Sequence, residues 1–113
     1  MKLVALAVLV AALAVPAALA ATPTLNGTVG PGFTITLTQG GKKVSKLKAG
    51  TYVFKIADKS TIHHFHLTGP GVNKKTTVVG QGTTTGKLTL KKGTYKYVCD
   101  PHASIMHGAF TVT

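Results

Sequence analysis

Cys99, His102 and Met106 lie within eight residues of one another, in the run Cys99-Asp-Pro-His102-Ala-Ser-Ile-Met106 close to the C-terminus. A thiolate, an imidazole and a thioether on one short segment suit a soft or borderline transition metal. One Cys and two His with a weak axial Met form the donor set of a one-electron copper site, and this segment supplies all but one imidazole. The missing ring must come from elsewhere, and Ile62-His63-His64-Phe65-His66-Leu67 offers three. An isolated strand cysteine is usually a packed small hydrophobe, and an isolated methionine usually fills a core. Here Pro101, His102, Met106 and Gly108 stand in register with Cys99, which favours the metal. His107 reads as an exposed loop residue.

The elements that must position these residues read as strands. Phe33–Leu37, Thr51–Ile56, Ile62–Leu67, Lys87–Leu90, Thr94–Val98 and Ala109–Thr113 are rich in Val, Ile, Thr, Tyr and Phe. Turn signals separate them: Gln39-Gly-Gly-Lys42, Gly69-Pro70-Gly71 and Lys91-Lys92-Gly93. Ala21–Leu25 reads as a short leader to the mature chain. No stretch after residue 20 carries a helical period, so the expected fold is an all-β sandwich or barrel. The segments Leu47-Lys-Ala-Gly-Thr-Tyr-Val-Phe and Leu90-Lys-Lys-Gly-Thr-Tyr-Lys-Tyr echo each other as turn-then-strand units. Alternation puts Tyr52, Phe54 and Ile56 on one face of the first, and Tyr95, Tyr97 and Cys99 on one face of the second. The aromatic faces belong to the core, so Cys99 points inward at a strand end. The same alternation places His66 opposite His63.

Bulk composition narrows the functional classes. Met1-Lys2, the apolar run from Leu3 to about Leu19, and Ala18-Leu19-Ala20 read as a signal peptide cleaved after Ala20. The expected domains are therefore residues 1–20, the signal, and 21–113, a single small domain. Export implies the periplasm or the cell exterior. A lone cysteine cannot form an intramolecular disulfide, and a free thiol in an oxidising compartment is a liability unless buried or bonded. The formal net charge is +11, with thirteen basic residues, all lysine, against Asp58 and Asp100. Export and the absence of arginine argue against nucleic acid. The lysines suit an acidic redox partner or an anionic cell-envelope surface. Two acids leave little for acid–base catalysis, and no oxyanion-hole signature accompanies Cys99 and His102, so no enzyme is expected.

Two motifs resemble the cupredoxins, the plastocyanin-like family of small blue copper proteins. Tyr97-Val-Cys-Asp-Pro-His102-Ala-Ser-Ile-Met106-His-Gly108 is similar to the family's Cys-x-x-His loop ending in Met-x-Gly. His63-His-Phe-His-Leu is similar to the family's His-Asn-Phe-x-Leu, with His64 where the family usually has Asn. The resemblance implies a Greek-key β-sandwich and one type 1 copper ion. It makes His63, Cys99 and His102 equatorial ligands and Met106 the axial one. His64 would then either tie the ligand loops together through a ring nitrogen or compete as a ligand. Backbone groups near His64 and Pro101 would then be able to bond the Cys99 sulfur. An exposed His102 ringed by Pro101, Ala103, Ile105 and Pro70 would be the electron port for transient docking. The expected protein is a monomeric electron carrier. A copper storage or delivery protein is the alternative, and a lysine-rich adhesive β-domain a more distant one.

Overall fold

The computed structural model describes residues 21–113; the expected signal peptide, residues 1–20, lies outside the described residues. The strands are β1 (Thr24–Val29), β2 (Ile35–Gln39), β3 (Lys42–Lys43), β4 (Lys46–Leu47) and β5 (Gly50–Asp58), followed by β6 (His66–Gly69), β7 (Val72–Lys75), β8 (Gly82–Leu90), β9 (Gly93–Val98) and β10 (His107–Val112). They form two five-stranded sheets, ordered β3-β2-β1-β5-β8 and β4-β10-β9-β6-β7. Pairing is antiparallel except between β1 and β5 and between β4 and β10. Among the described residues, no helix is long and apolar enough to cross a membrane.

The two sheets pack the inward faces that alternation selects. Tyr52, Phe54 and Ile56 on β5 are buried, as are Tyr95 and Tyr97 on β9. Phe65 stacks on Tyr97 and Phe110 on Tyr95, each pair with ring centroids 5.4 Å apart. Burying each such ring contributes about 1.5–3 kcal/mol. Gly40 and Gly41, at φ 57° and 79°, make the two-residue turn between β2 and β3, the backbone that the Gly-Gly pair permits.

Three details differ from the sequence reading. The segment taken as a leader continues into β1, whose Leu25, Gly27 and Val29 face inward; Asn26 and Gly27, poor strand formers, mask that alternation. Gly69-Pro70-Gly71 is a turn, but the chain doubles back from it into β7, a strand the sequence reading lacks. The third strand starts only at His66, so residues 62–65 form an irregular bend instead. That bend has a local cause. The Asp58 carboxylate accepts from Ser60 N–H at 3.0 Å, and the Ser60 hydroxyl accepts from Ile62 N–H at 3.2 Å. Such side-chain bonds outcompete a ladder for the backbone donors.

Candidate metal centre

Two segments meet at one end of the sandwich. The first is the bend after β5. Its backbone is fixed by the Asp58 and Ser60 bonds, by Lys59 N–H donating to Val29 at 2.9 Å, and by Phe65 N–H donating to the Thr76 hydroxyl at 2.9 Å. His63 is turned inward there with no solvent exposure. Gly30, at φ 72°, lies against it: a Cβ at that position would sit 3.1 Å from His63 Cδ2, so glycine serves both the turn and the close approach.

The second segment is the loop from β9 to β10. Cys99 is extended, and Asp100–His102 form one 3-10 turn with Pro101 as its second residue, where its fixed φ is tolerated. The loop closes on itself: Cys99 N–H donates to Met106 at 3.0 Å, and Met106 N–H and His102 N–H donate to the His102 and Cys99 carbonyls at 2.9 Å. Cys99 and Met106 are fully buried, whereas His102 is partly exposed.

These segments bring His63, Cys99 and His102 together. Cys99 Sγ lies 3.7 Å from His63 Nδ1 and 3.6 Å from His102 Nδ1, and the two ring nitrogens are 3.1 Å apart. Three lone-pair donors thus face one point. His63 Nε2, on the far side of its ring, is buried without a partner. With Nδ1 turned to the common point, that nitrogen carries the ring hydrogen.

His64 and His66 are not part of this trio. The His64 backbone N–H donates to Cys99 Sγ at 3.5 Å. Its buried ring reaches the opposite loop, where Nε2 lies 3.0 Å from Asp100 N and 2.6 Å from Asp100 Oδ2. The imidazole therefore ties the two loops together where the family usually has Asn. His66 Nδ1 is 2.8 Å from the same carboxylate oxygen. Partial desolvation acts to raise the Asp100 pKa; hydrogen bonds from His66 and His64, and the charges on those rings, outweigh it and hold the carboxyl below its usual value. His107 is exposed and opens β10.

Two surroundings of the site differ from expectation. Pro70 is at the other end of the sandwich, where its carbonyl accepts from Tyr95 Oη at 2.8 Å and its ring packs against Gly93 at the start of β9. The residue that covers the trio is Phe33, which the sequence places as an ordinary strand residue. Its ring, 55% exposed, sits edge-on to both imidazoles, with centroids 5.3 Å from His63 and 4.9 Å from His102. Its only sequence signal is a large aromatic beside Gly30-Pro31-Gly32, a turn too short to bury it. Ile105, 61% exposed, Pro101 and Ala103 complete an apolar rim.

Comparison with known proteins matches this architecture. The family model described as cupredoxin-like domain matches residues 3–112, and the chain belongs to that family. Two solved structures share the fold. Auracyanin A, a "blue" copper protein from the green thermophilic photosynthetic bacterium Chloroflexus aurantiacus, is 18% identical with a TM-score of 0.57, over 82% of this chain and 100% of its own. Reduced rusticyanin is 21% identical with a TM-score of 0.59, over 80% of this chain and 78% of its own. Curated protein sequences give no match.

Proposed function

We propose that this protein is an exported, monomeric carrier of single electrons. One copper ion would be held by His63 Nδ1, Cys99 Sγ and His102 Nδ1, with Met106 as the axial donor. The observation that carries the reading is the convergence of a buried sulfur and two ring nitrogens at separations of 3.1–3.7 Å. Ligands of one first-row ion, each at about 2.0–2.3 Å from it, are spaced in this way. Membership of the cupredoxin-like family and the blue copper identity of auracyanin A support the same reading.

Copper bound there supplies one-electron chemistry between its cuprous and cupric states, for which thiolate, thioether and imidazole are suited donors. The remaining work belongs to the chain. The His64 N–H steadies the Cys99 sulfur, and the His64 ring clamps the loop that carries it. Burial of His63, Cys99 and Met106 keeps water out. The closed β9–β10 loop holds the donors in one arrangement, so an electron can come and go with little rearrangement. His102 is the ligand nearest the surface, and Phe33, Pro101, Ala103 and Ile105 around it make a small apolar face for brief docking. Exposed lysines farther out would steer an acidic redox partner, an attraction that weakens with salt. The signal-like residues 1–20 support export to the periplasm or cell exterior. Two acids in the whole chain leave little for substrate chemistry.

The test is the visible and electron paramagnetic resonance spectrum of the protein with one equivalent of Cu(II). An intense visible charge-transfer band, absent in Cys99→Ser, is expected. A pale complex whose thiol is still freely alkylated overturns the reading, and a colourless complex with several ions per chain points to copper storage or delivery.

A further inference from the structure

We propose that His64, His66 and Asp100 form a second cation site, beside the first, for a divalent ion of borderline softness such as Zn(II) or Cu(II). His64 Nε2, His66 Nδ1 and Asp100 Oδ2 all lie within 4.8 Å of one another, and none of them belongs to the His63–Cys99–His102 trio. They come from the same two segments, so the closure that builds the first site also builds the second.

The setting of Asp100 is unusual for this chain. It is one of two acids in a sequence of net charge +11, and the other, Asp58, is buried. Among the described residues its ion-pair partners are two imidazoles and no lysine, although its side chain is 48% exposed.

The hydrogen bonding is over-subscribed as it stands. His64 Nε2 lies 3.0 Å from the Asp100 N–H, which requires a lone pair, and 2.6 Å from Asp100 Oδ2, which requires a hydrogen. One ring nitrogen cannot offer both. An ion between the rings would take the Nε2 lone pair in place of the Asp100 N–H, so that Nε2, Nδ1 and Oδ2 all present lone pairs to it and the ion bridges the two loops where that hydrogen bond does now. The outer contact already has the form such sites use: His66 Nε2 is 2.6 Å from Asn73 Oδ1, so a hydrogen on Nε2 leaves Nδ1 free to ligate. The carboxylate oxygen sits closer to the rings than ligands of one ion do. It would swing outward by about half an ångström to admit one, and its exposure permits that.

The donor set defines the ion. Two imidazoles and a carboxylate, without thiolate, suit Zn(II) or Cu(II) better than Cu(I), and better than Mg(II) or Ca(II), which prefer oxygen. Asp100 is bonded directly to Cys99, so an ion held there adds positive charge next to the thiolate and favours the reduced state of the first site.

The experiment is calorimetric titration of Zn(II) into the copper-loaded protein while the visible band is followed. One saturable further equivalent is expected, with the band retained. His66→Ala should weaken that equivalent by about tenfold or more, and His107→Ala, which removes the exposed histidine outside the cluster, should leave it unchanged. His66 opens β6 outside the buried core, and His66→Gln, which keeps a polar side chain beside Asn73, provides a second variant. The proposal is overturned by the absence of a saturable equivalent, by equal affinity in His66→Ala, by loss of the equivalent in His107→Ala, or by bleaching in proportion to added Zn(II). A protein that never colours with copper fails the reading of the first site instead, and the His66-dependent equivalent is then measured on the metal-free chain.

Discussion

Replacing Gly108 by alanine should damage both the fold and the site. Gly108 pairs directly with Tyr97 across β9 and β10, and the Tyr97 side chain occupies the space beside it that a Cβ would need. A Cβ at position 108 would fall inside the contact distance of three Tyr97 side-chain atoms, the ring carbons Cζ and Cε2 and the hydroxyl Oη. The ring has nowhere to go. Tyr97 is 1% exposed, stacked on Phe65 at 5.4 Å with an interplanar angle of 9°, and flanked by Phe110 at 6.5 Å. β10 must therefore move away from β9, or the ring must leave its well. Overpacking of this kind costs about 1–3 kcal/mol, and the rigid surroundings place it at the upper end. For a domain of this size that lowers Tm by roughly 5–20 °C. Because β10 continues directly from Met106, the shift also strains the Cys99 N–H bond to Met106 at 3.0 Å. The assay is thermal and denaturant unfolding of Gly108→Ala in the wild-type and Tyr97→Leu backgrounds. Relief of the penalty by at least about 1 kcal/mol in the second background is expected, since the colliding ring is gone. A Gly108→Ala protein within about 0.5 kcal/mol of wild type, or one equally destabilised in both backgrounds, refutes the reasoning.

Other outcomes follow from the site and the core. Phe33→Ala uncovers the edges of His63 and His102, and a wetter site favours the more highly charged cupric state; voltammetry of the copper-loaded protein should give a lower reduction potential with copper retained. Met106→Leu removes a weak axial donor to Cu(II) and should raise the potential while copper stays bound; an unchanged potential shows that Met106 is not axial. Burial raises the Tyr97 pKa, so the fold holds the phenolic proton more tightly than the unfolded chain does. The associated stability is fully present below about pH 10 and is lost as the pH rises through the raised value. Denaturant melts across that range should show a smaller alkaline loss in Tyr97→Phe.

Much of the metal centre was legible because it is local. Cys99, His102 and Met106 share one loop, and a period of two along β9 turns Cys99 to the same side as Tyr95 and Tyr97. The choice among three neighbouring histidines was legible only by resemblance. Alternation separates His63 from His66, yet residues 62–65 are not a strand. What turns His63 inward is the pair of side-chain bonds at Asp58 and Ser60, short-range competitors with the ladder that periodicity does not register. β1 went unread because Asn26 and Gly27 are poor strand formers, and its parallel pairing with β5 overrides that local preference.

The sequence by itself determined the donor types, the all-β alternation and the compact loop that holds three of the donors, since each depends on residues a few positions apart. Only the tertiary structure decided that Phe33 covers the imidazoles, that Pro70 sits at the opposite end, and that His64 and His66 converge on Asp100. Those contacts join segments tens of residues apart. Their partners are selected by sheet order and by which loops the packed sandwich brings to the same end, and no local pattern encodes that.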